Sequence, residues 1–453
     1  MDQIFDSQFL AMRSAFARDG ITVEIAYSPS GQANYIYQAG RLLADVGRYP
    51  EIVARIRQLL PGTVPAGRRE QLTSPGLQVL SIEQLDNGYL SVPDALDLLD
   101  EELAGYFRQD GKGDEGAERR RTSGDYSPVA PVHVLHLAQQ SASSSGRICP
   151  ATEPEVPYCS CPNGGDDPSD LPCGPCPAQA PGDAGAGVLI GVCDTGLLAS
   201  SAGVPWLANV TGFDDPLGPL LAGVPPIPPG LHAIPQYTGH GTFVAGVASC
   251  QAPGADIYVY GDIVTGGGVL ETTIVNKLTA LLAGTAGLNV VNLSAGGYTR
   301  HDFLPLSFTV LDHGGVTLVA AAGNDATHRK FWPAAFDWAV GVGALGADQR
   351  SRAWFSNHGD WVNVYAPGEG LVNAYATGVY SYQEPPRRPA QQIFNGMARW
   401  SGTSFAAPLV AGLIAAQMSN AGASAADATA TVLAQAAAQA IPGVGPVLYP
   451  WHA

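Results

Sequence analysis

The chain has 453 residues, 46% of them hydrophobic and 14% charged, with 23 Lys+Arg against 40 Asp+Glu and a formal net charge of −17. That length leaves room for more than one domain, and that composition fills a core, which excludes a wholly disordered chain. The acidic balance runs against a phosphate-neutralising surface, so neither nucleic acid nor a membrane is expected as a partner.

The chain opens MDQIFDSQFLAMRSAFARDG, with an acid at position 2, no basic leader and no unbroken apolar run. No secretory signal is expected from this, hence a cytoplasmic location, or a secreted one if a natural N-terminus was removed. The longest apolar stretch, 281–293, is interrupted by Gly and Asn, so no membrane span is expected. ITVEIAYS (21–28) and ANYIYQAG (33–40) read as strands across an SPSGQ turn. Residues 48–60 place Ile52, Val53, Ile56, Leu59 and Leu60 on one helical face. A strand over 77–85, an Asp86-Asn87-Gly88 turn into a strand YLSV, a helix over 93–107 with Pro93 in its first turn, and a strand over 129–138 follow. The expected order is β-α-β-β-α-β after an extra helix and strand: a small α+β, ferredoxin-like domain over 1–138.

Residues 109–126 are charged and Gly-rich and read as a loop, and 139–186 as a Cys/Pro/Gly-rich linker. The linker carries Cys149, Cys159, Cys161, Cys173 and Cys176. Two disulfides with one thiol left over, a four-thiolate zinc knuckle, or unlinked thiols all fit. The spacing matches no strong zinc pattern, so no cofactor and no metal are expected. Cys193 and Cys250 stand apart in apolar surroundings.

Composition changes at Val188. Apolar strands at 188–196, 256–263, 289–295, 316–324 and 338–345 alternate with helical stretches near 240–250, 269–284 and 304–313. This alternation predicts an α/β domain over 187–453, a mostly parallel sheet covered by helices on both faces. Reactive groups in such sheets gather at the carboxyl ends of strands.

Three segments carry side chains suited to acyl transfer. In SGTSFAAPLVAGLIAAQMS (401–419), Gly402 turns the chain into a helix that presents Ser404 near its positive end. TGHGTFVAGVAS (238–249) opens a second small-residue helix at His240, and VCDTG ends a buried strand on Asp194. A serine hydroxyl, an imidazole to take its proton and a carboxylate to hold the imidazole form one chemical unit, and the order Asp, His, Ser is a known solution.

The VCDTG, GHGTFVAG, NLSAGG, AAAGN and SGTSFAAP segments resemble those of the subtilisin-like serine proteases in order and spacing, over roughly 187–445. The resemblance implies Asp194 as the orienting acid, His240 as general base and acid, Ser404 as nucleophile and Asn324 as an oxyanion donor. It implies a strand Ser294-Ala295-Gly296 that pairs with an extended protein or peptide substrate. With Ala321-Ala322-Gly323, and with Ala334 near the base, this strand is expected to wall an open, apolar pocket. Phe243 stands where many relatives carry a second histidine, and the calcium loop that often follows the histidine helix is missing, so no calcium is expected there. His328-Arg329-Lys330 reads as a solvated basic loop, with a preference for acidic groups as the alternative, and 205–236 as a cleft flap or a surface loop. Residues 1–138 resemble an inhibitory propeptide in element order, with a permanent regulatory domain as the alternative. The expected function is serine endopeptidase, held latent by this domain; the competing reading is a latent or non-catalytic protease-like binding module.

Overall fold

A computed structural model of the protein describes residues 3–83, 90–109, 127–137, 151, 153–157, 174–180, 182–221, 229–261, 266–383 and 390–450. The expected 109–126 loop, the Asp86–Gly88 turn, position 138 and most of the 139–186 linker, with Cys149, Cys159, Cys161 and Cys173, lie outside the described residues, apart from Gln109.

The N-terminal part runs α1 (Gln3–Arg18), β1 (Val23–Tyr27), β2 (Ala33–Asp45), α2 (Ile52–Leu59), β3 (Val64–Pro65), β4 (Leu77–Ser81), α3 (Val92–Gln109) and β5 (Val129–Leu137). The middle strand pair differs from expectation. Residues 77–81 pair with the short β3 preceding them, whereas Leu90 and Ser91 of YLSV are irregular and Val92 already opens α3. Pro93 explains the switch: its fixed φ suits a helix start and its missing N–H would break a ladder. Helices α2 and α3 bury Ile52, Ile56, Leu96 and Leu99 against Leu42, Leu80 and Val129 of the sheet.

The larger part continues with β6 (Leu189–Cys193), β7 (Val210–Gly212), β8 (Ala233–Ile234), α4 (His240–Gln251), β9 (Asp256–Tyr260) and β10 (Gly268–Leu270). Then come α5 (Glu271–Gly284), β11 (Leu288–Leu293), β12 (Ala295–Gly296), β13 (Thr317–Ala321), β14 (Ala339–Leu345) and β15 (Val364–Pro367). A hairpin of β16 (Leu371–Ser381) and β17 (Gln391–Trp400) leads into α6 (Thr403–Ala421) and α7 (Ala425–Ala438). Strands β15-β14-β13-β11-β6-β9-β7 form a parallel sheet in that order. Alternate strand residues bury on opposite faces, Ile190 and Val192 toward α4 and α6, Val291 and Leu293 toward α5. Every residue of α4 is buried, as its unbroken run of small and apolar side chains requires. No single helix among the described residues is long and apolar enough to cross a membrane.

Three local expectations change. Residues 268–270 are strand, with the helix beginning only at Glu271, and the expected 304–313 helix is a 3-10 turn over Leu306–Val310. Part of 205–236, expected as a flap or a surface loop, is strand: Val210–Gly212 adds an edge strand to the parallel sheet and Ala233–Ile234 pairs with β16.

The two parts share one sheet. β5 pairs antiparallel with β2 through its first residues and, further along, with β10 on one edge and β12 on the other. Its last described residues, Val134 to Leu137, therefore lie between the two strands that border the cleft.

Candidate active site

Asp194 follows β6 at its carboxyl end, and α4 begins at His240 directly above it. Close approach depends on Gly241: a Cβ there would meet the Gly196 carbonyl oxygen at 2.5 Å and the Asp194 Cβ at 3.1 Å. His240 Nδ1 and Asp194 Oδ1 are 2.7 Å apart, with the ring 4% exposed and the carboxylate fully buried. An ionised carboxylate accepts only, so Nδ1 carries the proton and Nε2 is left as the basic nitrogen. The Thr195 N–H also donates to Asp194 Oδ1, at 2.8 Å. The imidazole is walled by Trp400, edge-on at 5.3 Å, and by Phe405 at 5.2 Å.

Phe405 follows Ser404, the second residue of α6. Gly402 caps this helix at φ 148°, ψ 154°, a conformation open to glycine and strained for other residues. Pro408 lies six residues into the helix and has no N–H to give the Ser404 carbonyl. The Ser294 hydroxyl takes that place, donating to the Ser404 carbonyl at 2.7 Å, while Ser404 Oγ donates to the Ser294 carbonyl at 3.3 Å. The helix start and the cleft strand are thus laced together at the serine.

Asn324 ends the segment after β13 and is 1% exposed. Its Oδ1 accepts from the Thr403 N–H and the Thr403 hydroxyl, both at 3.0 Å. Since the Thr403 N–H can only donate, the amide orientation is settled, and the Asn324 NH2 group is turned toward Gly402. Ala321, Ala322 and Gly323 lie behind it, Ala295 and Gly296 oppose β5, and Ser294 precedes them, all buried. Ala334 is buried too, but the side chain between Gly296 and Gly323 is that of Phe331. Phe243 packs on Phe405 at 4.5 Å between ring centroids, in the core as its burial demands.

Residues 185–445 match the subtilase family, Peptidase S8. The chain belongs to the subtilase family. Among curated relatives of this subtilase, the thermophilic serine proteinase of Bacillus sp. (strain AK1) is 32% identical over 191 residues, 40% of this chain and 42% of that protein. Subtilisin DY of Bacillus licheniformis is 27% identical over 250 residues, 52% of this chain and 78% of that protein. The match thus spans less than half of the thermophilic proteinase. The crystal structure of fervidolysin from Fervidobacterium pennivorans, a keratinolytic enzyme related to subtilisin, shares the fold with a TM-score of 0.51 at 16% identity, over 91% of this chain and 60% of that one.

Several residues that sequence reasoning passed over complete the site of this subtilase. Asp215 Oδ2 accepts from the Thr195 hydroxyl at 2.8 Å and the Gly239 N–H at 2.7 Å, so it braces both the residue after Asp194 and the residue before His240. Burial pushes its carboxyl up to about 6, against the two hydrogen bonds that favour the anion. Its only sequence signal is an acid at the end of an edge strand.

At the cleft entrance His133 of β5 meets Glu271, with Nδ1 and Oε1 2.9 Å apart; the His133 N–H donates to the same oxygen and Ser307 donates to Oε2. Arg300 pairs with Asp97 and Asp100 of α3 at 2.5 and 2.7 Å. Arg329 donates to the Asn34 carbonyl and to Asp302 and stacks on the Tyr298 ring at 4.6 Å, so it is a part-buried bridge to the N-terminal part rather than a solvated basic residue. The Cys193 and Cys250 thiols carry no disulfide, and burial pushes both up to about 12, which keeps them protonated and inert. Among the described residues no group of three or more His, Cys, Asp or Glu side chains gathers to hold a metal.

Proposed function

We propose that the chain is a serine endopeptidase acting through Asp194, His240 and Ser404, with Asn324 as oxyanion donor, and that its N-terminal domain holds it latent. The observation that carries this reading is the buried Asp194–His240 pair set beside the helix start that bears Ser404, under a cleft already filled by an extended strand. In this reading the Ser404 hydroxyl, which rests on the Ser294 carbonyl, turns to the basic nitrogen of His240. Oγ then adds to the scissile carbonyl as its proton passes to His240, which returns it to the leaving amine. Water repeats the sequence on the acyl-enzyme, and the peptide bond is hydrolysed. The Asn324 amide and the Ser404 N–H, one of the unpaired donors at the helix start, would stabilise the oxyanion.

Latency is supported by the register of β5. Leu137 lies opposite Ala295 and His136 opposite Gly296, while the Leu137 N–H donates to the Gly267 carbonyl at 2.9 Å. This is the pairing that an extended substrate would adopt, so the segment competes with substrate for the same backbone groups. The same occupancy is what a non-catalytic binding module would display, and a serine-directed fluorophosphonate separates the two. Labelling at Ser404, abolished in Ser404→Ala, is expected for the enzyme. Folded protein that stays unlabelled after limited removal of the N-terminal domain would favour the binding module.

A further inference from the structure

Resting on the serine-peptidase reading, we propose that Phe331 closes most of the pocket for the residue before the scissile bond and so restricts that residue to small side chains. The two wall strands were expected to enclose an open space because their residues are small. The structure places the Phe331 ring inside that space. A Cβ on Gly296 would meet its Cε1 at 2.3 Å, and a Cβ on Gly323 would meet its Cγ at 3.1 Å. The ring thus spans from one wall to the other, in contact with backbone on both sides.

It is also held there. The neighbouring Trp332 exchanges two backbone hydrogen bonds with Gly297, at 2.8 and 2.9 Å, which ties the Phe331 backbone to the cleft strand. The Phe331 ring is fully buried, and Tyr298 packs against it edge-on at 5.1 Å. The Tyr298 hydroxyl donates to Asp325 and accepts from Asn357, so this second ring is fixed in turn. Swinging Phe331 aside would require displacing anchored groups rather than a mobile tip.

The direction of a substrate side chain follows from β5. His136 lies opposite Gly296, and its ring meets Phe331 edge-on at 5.7 Å. In an extended strand residues two apart share a face. A substrate residue opposite Ser294 is two positions beyond the place of His136, so its side chain projects toward the same Phe331 ring. Its carbonyl comes next to Ser404, whose Oγ touches the Ser294 carbonyl. A methyl or hydroxymethyl group fits above the ring, whereas a leucine or phenylalanine side chain would overlap it. The residue two on from His136 in this sequence is itself small, Ala138.

The protein, purified as the full chain and then treated by limited proteolysis to free the cleft of the N-terminal domain, is assayed on chromogenic peptides that differ only in Ala, Leu or Phe before the cleaved bond. Wild type is expected to favour Ala over Phe by about 100-fold in kcat/KM, the scale of pocket-size discrimination. Phe331→Ala should raise kcat/KM for the Phe peptide at least about tenfold while changing the Ala peptide by less than about threefold, with Phe331→Leu between. Should Phe331→Ala fail to fold, the wild-type ratio and Phe331→Leu still decide. Wild type that takes Phe as readily as Ala, or variants with an unchanged Ala-to-Phe ratio, would overturn the pocket assignment and leave the protease reading standing. Hydrolysis of no peptide, with Ser404 still unlabelled by fluorophosphonate after limited removal of the N-terminal domain, overturns both.

Discussion

Asp215 shows how much of the site rests on a residue without a motif. Its carboxylate ties Thr195 to Gly239, and Thr195 in turn accepts the Gly241 N–H at 3.1 Å, so the turns bearing Asp194 and His240 move together. Because its carboxyl is raised to about 6, the native state binds a proton that the unfolded chain releases nearer the ordinary value of 3.8. The stability contributed this way is complete below the unfolded value and is lost as pH rises through about 6. Asp215→Asn keeps an oxygen acceptor but does not titrate. Its stability relative to wild type should therefore climb between pH 4 and 7 and then level, by at most about 3 kcal/mol. Melting temperatures of the two proteins across that range check it, and a flat difference would remove the buried charge as the cause.

Among the elements, β5 does the most. It closes the N-terminal sheet and continues into the cleft, and its buried contact is His133 with Glu271. Removing the acceptor with Glu271→Ala leaves His133 and Ser307 buried without it and is expected to destabilise the protein by about 3–5 kcal/mol. Asp97→Ala, at the exposed end of the Arg300 pairing, should cost less than about 1 kcal/mol. Denaturant titrations of both in a Ser404→Ala background, where self-digestion cannot interfere, separate a buried junction from a solvated ion pair. The sequence reading missed the long β16–β17 hairpin as well as short strands that exist only through their partners. β3 and β10 are two and three residues long, too short to show alternation, and exist because β4 and β5 offer them ladders.

At the scale of the whole molecule, the N-terminal domain and the peptidase domain share a sheet through β5, and beyond it the Ala151 carbonyl accepts from the Trp400 ring, Glu153 accepts from Tyr380 and Gln383, and Glu155 bridges to Arg399 of β17. On the proposed reading, a connection whose preceding strand pairs with β10 and β12 predicts self-processing. Intact-mass analysis of purified wild type should find a break between 138 and about 186, while Ser404→Ala stays a single 453-residue chain. The same break in both proteins would assign the cut to another protease.

The parallel α/β domain and the candidate residues Asp194, His240 and Ser404 were legible from sequence alone, because strand and helix periods and glycine-flanked positions are local patterns of a few residues each. The sequence did not determine the brace at Asp215, the junction at Glu271 or the ring of Phe331 between Gly296 and Gly323. Each of these acts on groups that only the fold brings near, 20 and 24 residues away for Asp215 and 138 for Glu271. Small residues along a wall say how wide a space could be; a side chain arriving from another loop decides how much of it remains.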